Sequence, residues 1–85
     1  MMYEIQVFVT LKEAVLDPQG KAVNHSLNQL GYSEVEDVRI GKVLTLTMNG
    51  EKETVEARVT EMCDKLLANP VIEDYRFEIK EALAQ

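Results

Sequence analysis

The chain has 85 residues, which is enough for a single domain with one modest hydrophobic core. Fifteen acidic and nine basic side chains give a formal net charge of −6, and this excess of negative charge argues against nucleic acid or an anionic membrane surface as a partner. The single cysteine, Cys63, allows no internal disulfide, and the N-terminal residues lack the basic start and apolar run of a signal peptide. We therefore expect one cytoplasmic domain over residues 1–85.

The chain begins with a predicted strand. From Tyr3 to Val9 the odd positions are apolar while Glu4 and Gln6 are polar, which is the two-residue period of a half-buried strand. Phe8 interrupts this alternation, because it places an aromatic ring on the otherwise polar face. We interpret this ring either as part of a small satellite core or as a contact with another subunit.

A helix is predicted next, with signals at both of its ends. Asp17 can accept hydrogen bonds as the N-cap, and Pro18 suits the first helical position. The helix should run to about Leu30, because Gly31 suits a left-handed C-terminal cap. Its predicted apolar face consists of three residues at helical spacing, Val23, Leu27 and Leu30.

The stretch from Val35 to Met48 could form either one long strand or a hairpin that turns at Gly41 and Lys42. A tight turn there would set the apolar positions of one arm beside the polar positions of the other. A continuous strand instead places the apolar even positions on one face, namely Val38, Ile40, Leu44, Leu46 and Met48. We therefore favour one long strand, with room for a β-bulge near Gly41.

This second strand is long for a domain of this size. It would span roughly 45 Å, whereas a compact chain of this length has a radius of gyration of about 12 Å. One end of the strand should therefore extend beyond its own domain and pair within a partner subunit. The sequence thus predicts a dimer in which the long second strand is shared.

The last two elements are a helix and a strand. After a turn, apolar residues repeat at helical spacing from Glu51 to Ala68. The predicted apolar face of this helix is made of Val55, Val59, Met62, Cys63, Leu66 and Leu67. Asn69 and Pro70 should end it, since asparagine tolerates a left-handed cap and proline cannot continue the ladder. Alternation from Glu73 to Lys80 then predicts a third strand, with Tyr75, Phe77 and Ile79 facing inward.

The order of elements is β-α-β-α-β. We therefore expect an α+β fold related to ferredoxin-like domains, with two helices on one face of a small sheet. The opposite face of such a sheet stays open, which again favours a dimer.

Few side chains could support catalysis. His25, the only histidine, lies one step from the apolar face of the first helix and is expected on the helix surface. Cys63 falls on the apolar face of the second helix with no nearby cation, so we expect a core residue. Acidic and basic side chains are interspersed along that helix, which is typical of a solvated face rather than a metal site. We expect no catalytic, cofactor-binding or metal site on this chain.

Two clusters have more than one interpretation. The N-terminus of the first helix lies close to Lys12 and could bind an anion, unless Asp17 already caps its amides. Arg39 and Lys42 flank Gly41 within the long strand. They are either ordinary sheet-surface cations or partners for an acidic interface.

Four segments, taken together, resemble the PurS subunit of phosphoribosylformylglycinamidine synthase. They follow the order and spacing of that family and cover nearly the whole chain. The segments are Leu16-Asp17-Pro18-Gln19-Gly20, Leu30-Gly31, Val38-Arg39-Ile40-Gly41-Lys42 and Leu67-Ala68-Asn69-Pro70-Val71-Ile72-Glu73-Asp74-Tyr75. One departure is Asn24-His25-Ser26, where an alanine-containing helical stretch would be more ordinary.

The resemblance implies a role in purine biosynthesis, in the ATP-dependent conversion of formylglycinamide ribonucleotide to its amidine with glutamine as the nitrogen donor. In that family a PurL-type synthetase subunit binds ATP and the ribonucleotide, and a PurQ-type glutaminase subunit releases ammonia. The PurS subunit joins them and helps the ammonia pass. By this resemblance we expect a homodimer or tetramer with no cofactor of its own, and ATP and Mg²⁺ on the synthetase subunit.

The resemblance also transfers two groups of positions, neither of them catalytic. The interface candidates are Lys12, Gln19, Arg39, Gly41, Lys42 and Glu73. The structural positions are Asp17, Pro18, Gly20, Asn69 and Pro70. Arg39 and Lys42 have no local role that is evident from the sequence, so we regard them as the stronger candidates for contacts with the larger subunits.

Two other functions stay open from the sequence. One is a dimeric regulatory domain that binds a small molecule between its subunits, which predicts measurable affinity for a metabolite. The other is a small hydrolase of acylphosphatase type, for which Arg39 and Asn69 would supply the arginine and the asparagine. That function predicts activity on a simple acyl phosphate.

Overall fold

Three antiparallel strands and two helices alternate along the chain in a computed structural model, which describes residues 1–82. The elements are β1 (Met2–Leu11), α1 (Pro18–Gln29), β2 (Gly41–Asn49), α2 (Lys52–Met62) and β3 (Glu73–Glu81). The strand order in the sheet is β2-β1-β3, and both outer strands run antiparallel to β1. The predicted α+β class and the β-α-β-α-β order are confirmed.

The core lies between the sheet and α2. The odd residues of β1 are buried, as the alternation of its sequence predicts, and residues at a spacing of four on α2 pack against them. The buried hydrophobic residues are Tyr3, Ile5, Val7, Val9, Val55, Val59, Cys63 and Ala68. Apolar side chains of β2 and β3 flank this cluster, among them the predicted Tyr75, Phe77 and Ile79. One face of the sheet is therefore covered, mainly by α2.

A single wide helical turn follows α2. Residues Cys63–Leu67 form a π-helical turn, which the amide of Ala68 closes by donating to the carbonyl of Cys63 at 3.1 Å. The extra residue in this turn shifts the buried stripe by one position, so Ala68 is buried and Leu66 is 81% exposed. The prediction that Leu66 lies on the buried face is therefore wrong.

The second strand passes through Gly41 and Lys42 without a turn. Leu44, Leu46 and Met48 are half-buried and alternate with exposed residues, so the predicted parity is confirmed for these three residues. The strand enters the sheet only at Gly41, where it pairs with Thr10. Residues 35–40 precede it as irregular chain and do not belong to the sheet of this protomer, so the prediction of one long strand that starts at Val35 is wrong for the single protomer.

Residues 17–40 form an arm at the end of the sheet where β1 leaves and β2 begins. Within the arm, the chain at 35–40 runs back along α1, and the side-chain amide of Asn28 donates to the carbonyl of Val35 at 3.2 Å. The predicted apolar face of α1 does not join the core, since Val23 is 40% and Leu30 74% exposed. The expectation that both helices lie against one sheet face thus holds for α2 and not for α1.

The arm gives the protomer an extended shape. Its radius of gyration is 16.7 Å, compared with about 12 Å for a compact chain of this length. The helix in the arm nevertheless has the predicted ends, because Asp17 is its N-cap and Gly31, with a φ of 103°, follows its last turn.

Candidate functional site

Three of the four segments singled out in the sequence converge at one end of the sheet. The end of β1, the start of α1, the start of β2 and the start of β3 all lie there, because β1 pairs antiparallel with both other strands. We call this region the motif end. It contains every interface and structural position predicted above, namely Lys12, Asp17, Pro18, Gln19, Gly20, Arg39, Gly41, Lys42, Asn69, Pro70 and Glu73.

Asp17 is the most deeply buried polar residue of the motif end, with 4% of its surface exposed. One carboxylate oxygen accepts from the amide of Gly20 at 2.9 Å, and the other accepts from the amide of Ile40 at 2.7 Å. These hydrogen bonds, led by the one from Ile40, hold the pKa of Asp17 below its ordinary value of 3.8, with a further contribution from the charge of Arg39. Asp17 therefore caps α1 and also holds the chain at Ile40 against the start of α1.

The capping role bears on the anion site considered for this helix N-terminus. The carboxylate of Asp17 already accepts from the amide of Gly20, where an anion would bind. A second negative charge there would be repelled. The geometry therefore favours the interpretation of Asp17 as a structural cap.

Arg39 has a local role that the sequence did not reveal. Its guanidinium donates through Nη2 to the carbonyls of Lys12 and Val15, both at 2.9 Å. These bonds fasten the loop between β1 and α1 to the returning chain of the arm. The premise that Arg39 lacks a local role was wrong, because its partners are backbone atoms distant in sequence. Its contact with another subunit stays a prediction.

Two glycines allow close approach of the backbone at the motif end. An ideal Cβ built on Gly20 would lie 2.1 Å from the carbonyl oxygen of Val38, and one built on Gly41 would lie 2.6 Å from the carbonyl oxygen of Val9. Neither position has room for a side chain. Gly20 therefore lets α1 contact the returning chain, and Gly41 lets β2 start against β1.

The turn before β3 is held by hydrogen bonds of Asn69 and Glu73. The side-chain oxygen of Asn69 accepts from the amide of Val71 at 3.0 Å, and a carboxylate oxygen of Glu73 accepts from the amide of Asn69 at 2.7 Å. The expected left-handed cap at Asn69 is not formed, since only Gly31 and Gly50 have positive φ among residues 1–82. The side chain of Asn69 instead stabilises the turn that follows the helix.

A first hollow at the motif end lies between the π-helical turn and the start of β3. It has a volume of about 400 Å³ and is lined by residues that include Lys12, Asp64, Asp74 and Tyr75. Lys12 and Asp74 form an ion pair at 2.6 Å. The hydroxyl of Tyr75 donates to Asp64 at 3.2 Å, and desolvation together with this bond raises the pKa of Tyr75. These charged groups already have partners within the protomer.

A second hollow, of about 250 Å³, brings together five of the predicted positions. Asp17, Gln19, Gly41, Lys42 and Glu73 line it, along with apolar residues of β1 and the arm. Gln19 and Lys42 are exposed, and within residues 1–82 their side chains form no hydrogen bond or ion pair. They are therefore the predicted positions for which contact with another protein is the simplest explanation.

The residues with the most nucleophilic or basic side chains are poorly placed for chemistry. His25 is exposed on α1, as expected. Cys63 is fully buried, and desolvation together with the nearby charge of Asp64 raises the pKa of its thiol. In the described part of the chain, no three metal-ligating side chains gather into a group that could hold an ion.

The acylphosphatase hypothesis depended on Arg39 and Asn69. The Nη2 of Arg39 is committed to two backbone carbonyls, and the side-chain oxygen of Asn69 is committed to its own turn. Both groups thus serve the local backbone.

Among residues 1–82, no helix has the length and apolar character needed to cross a membrane.

Comparison with known proteins gives a consistent result. A sequence model of the family described as PurS, phosphoribosylformylglycinamidine (FGAM) synthase, matches residues 4–81. The chain is 56% identical over 84 residues to the phosphoribosylformylglycinamidine synthase subunit PurS of Bacillus subtilis, a match that covers 99% of this chain and 100% of that protein.

Solved structures agree with the sequence comparison. The crystal structure of Methanocaldococcus jannaschii PurS matches with a TM-score of 0.86 at 40% identity, covering 95% of this chain and 99% of that one. A chain in the structure of PurLQS from Thermotoga maritima also matches with a TM-score of 0.86, at 28% identity, covering 94% of this chain and 99% of that one.

Proposed function

The chain belongs to the PurS family of phosphoribosylformylglycinamidine synthase subunits, and from this premise we propose that it joins the synthetase and glutaminase subunits of that enzyme. The observation that carries this proposal is the likeness to a chain of the PurLQS structure from Thermotoga maritima, which extends over 94% of this chain. The role is non-catalytic. It agrees with a buried thiol at Cys63 and a solvent-facing imidazole at His25.

The catalytic steps of the complex then take place on the partner subunits. ATP, Mg²⁺ and the ribonucleotide bind the PurL-type subunit, glutamine is hydrolysed on the PurQ-type subunit, and this chain helps ammonia pass from one to the other. Such a subunit acts through its surfaces and needs no cofactor. We place this work in the cytoplasm, as the sequence predicts.

The bridging subunit is proposed to be a homodimer. Support comes from the arm, where the apolar or aromatic side chains of Val23, Leu30 and Tyr32 are 40%, 74% and 52% exposed. A second copy that packs against the arm would cover them and would pair with the chain at residues 35–40. This is the shared-strand dimer that the sequence predicts.

We propose the second hollow as a contact site for one of the larger subunits. Its apolar walls and its exposed polar side chains at Gln19 and Lys42 suit a protein loop. Lys42→Glu should weaken assembly with the larger subunits and leave the Tm unchanged, because Lys42 makes no ion pair within residues 1–82. Lys52→Glu makes the same charge change on α2, at the opposite end of the sheet, and should leave assembly intact.

Assembly of the three proteins tests the proposal. Synthetase and glutaminase subunits from the source organism are mixed with and without this chain, and the masses of the resulting particles are measured by sedimentation velocity. A particle that contains all three proteins should form only when this chain is present. Full association of the two larger subunits in its absence would refute the bridging role.

A further inference from the structure

The turn between β2 and α2 contains the one asparagine of the chain that precedes a glycine. The chain has four asparagines, and only Asn49 is followed by a glycine, Gly50. Asparagine is among the thermolabile residues of proteins, and a following glycine lets the backbone approach the side chain closely. We propose that Asn49 is a site of spontaneous deamidation and that Met1 limits the rate of this modification.

The reaction needs only the groups of this turn and water. The backbone nitrogen of Gly50 loses its proton to base and attacks Cγ of Asn49, and the new C–N bond closes a succinimide ring. The bond from Cγ to Nδ2 of Asn49 breaks, and the leaving amine takes a proton from water and departs as ammonia. Water then opens either carbonyl of the ring, which gives aspartate or isoaspartate. Each conversion adds one negative charge to a chain whose formal net charge is −6.

The turn leaves the reacting groups accessible. Asn49 is the last residue of β2 and is exposed, so water can reach its side chain. Gly50 has a φ of 149°, a conformation that favours glycine. An ideal Cβ built on Gly50 would have one neighbour within 4 Å, Cγ2 of Val55 at 3.6 Å. The backbone of Gly50 is therefore not closely packed.

Met1 holds both reacting groups. Its carbonyl accepts from the amide of Gly50 at 3.0 Å, and its amino group donates to Oδ1 of Asn49 at 3.2 Å. A hydrogen-bonded amide proton is not available to base until the bond opens. Met1 precedes the first residue of β1 and is 69% exposed, so few contacts oppose its fraying. The opening of these two bonds should therefore control the rate of deamidation.

The other asparagines are protected by their surroundings. Asn24 and Asn28 lie within α1, so the amides that follow them donate to carbonyls one turn earlier in the helix. Asn69 precedes Pro70, whose nitrogen carries no proton and cannot form the ring. These three asparagines serve as internal controls for the modification of Asn49.

The two products should differ in stability. Aspartate places a negative charge near the start of α2, where the N-cap Glu51 forms no side-chain hydrogen bond. Asn49→Asp should therefore have a Tm at least as high as that of wild type. Isoaspartate adds a methylene group to the main chain and disturbs the pairing of position 49 with Met2, so this form should unfold at a lower temperature. The turn lies at the end of the sheet opposite the motif end, so its modification does not depend on the proposed bridging function.

Incubation of the folded protein at neutral pH tests the site. Peptide mapping by mass spectrometry should find the acid form at Asn49 before it appears at any other asparagine. Asn49→Gln should leave the turn unmodified over the same period. Deletion of Met1, so that the chain starts at Met2, should raise the rate about fivefold, which corresponds to about 1 kcal/mol for the lost hydrogen bond to Gly50.

Amide hydrogen exchange separates local opening from unfolding of the sheet. Leu46 has the same parity as Gly50 and lies opposite Ile5, so its amide also donates to β1. Deletion of Met1 should speed exchange at the amide of Gly50 and leave exchange at Leu46 unchanged.

Four outcomes would overturn the proposal. The first is deamidation of another asparagine before Asn49. The second is an unmodified Asn49 in the folded protein after the chain unfolded in denaturant has been fully converted. The others are equal rates with and without Met1, and a rate increase that is accompanied by faster exchange at Leu46.

Discussion

The contact between Gly20 and the returning chain of the arm predicts a large effect from the smallest side chain. In Gly20→Ala the added methyl group would lie 2.1 Å from the carbonyl oxygen of Val38 and 3.0 Å from Cγ of Asp17. The backbone oxygen cannot rotate away, so α1 and the chain at residues 38–40 must separate. This separation stretches the hydrogen bond from the amide of Ile40 to Asp17, which is 2.7 Å long.

Two effects of opposite sign determine the magnitude. Overpacking of this kind costs roughly 1–3 kcal/mol, while replacing glycine by alanine inside a helix gains up to about 1 kcal/mol. We expect a net destabilisation of roughly 1–2 kcal/mol, which lowers the Tm of a domain of this size by roughly 5–15 °C.

Thermal unfolding followed by circular dichroism measures this change, at one fixed protein concentration because association also raises the Tm. Hydrogen exchange at the amide of Ile40 should accelerate in Gly20→Ala. The control Lys21→Ala, at the next and exposed position of α1, should change neither quantity. A higher Tm for Gly20→Ala, as helix propensity alone predicts, would refute the packing of α1 against the returning chain.

Three further predictions concern the motif end and the core. The lowered pKa of Asp17 means that its carboxylate stabilises the fold above about pH 4 and loses this effect as the pH falls through the folded-state pKa. The Tm of wild type should therefore exceed that of Asp17→Asn at pH 7, and the difference should shrink as the pH falls below about 4; a difference that does not change with pH would contradict the ionised cap. Arg39→Ala should destabilise the protein by about 1 kcal/mol and speed exchange at the amide of Val15, as measured by chemical denaturation and hydrogen exchange, and an unchanged exchange rate would exclude the loop-fastening role. The thiol of Cys63 should react with a maleimide only after denaturation, since burial raises its pKa; rapid reaction of the folded protein would show that the core opens there.

The face of the sheet on which each strand side chain lies was the most predictable part of the fold. Period-two alternation placed Ile5, Val7 and Val9 in the core, and parity through Gly41 correctly excluded a hairpin. Both inferences work because a one-residue slip would expose every buried side chain of a strand. Caps were predictable for a similar reason, since Asp17 and Gly31 act through their immediate neighbours.

The parts that could not be predicted depend on contacts between distant segments. The π-helical turn moves Leu66 out of the core by one residue, and nothing in the local apolar pattern encodes that shift. The apolar face of α1 predicted that its side chains are covered, but it did not identify the segment or subunit that covers them. For Arg39, the sequence shows a charge but not its partners, which are backbone carbonyls of a loop more than twenty residues away.

The candidate site shows the same limit, because contacts between distant segments could not be predicted there either. The resemblance rests on four segments, three of which converge where β1, β2 and β3 meet. It did not separate structural residues from those free to touch a partner. The hydrogen bonds make that separation, and among the predicted interface positions they leave Gln19 and Lys42 as exposed polar side chains without a local partner within residues 1–82.

The bridging role is tested most directly by the rates of amidine formation from formylglycinamide ribonucleotide. Synthetase and glutaminase subunits are assayed with and without this chain, in parallel with glutamine and with ammonia as the nitrogen source. Adding the chain should raise the glutamine-dependent rate and leave the ammonia-dependent rate unchanged, because only the former requires transfer between subunits. Equal glutamine-dependent rates with and without the chain would contradict the account.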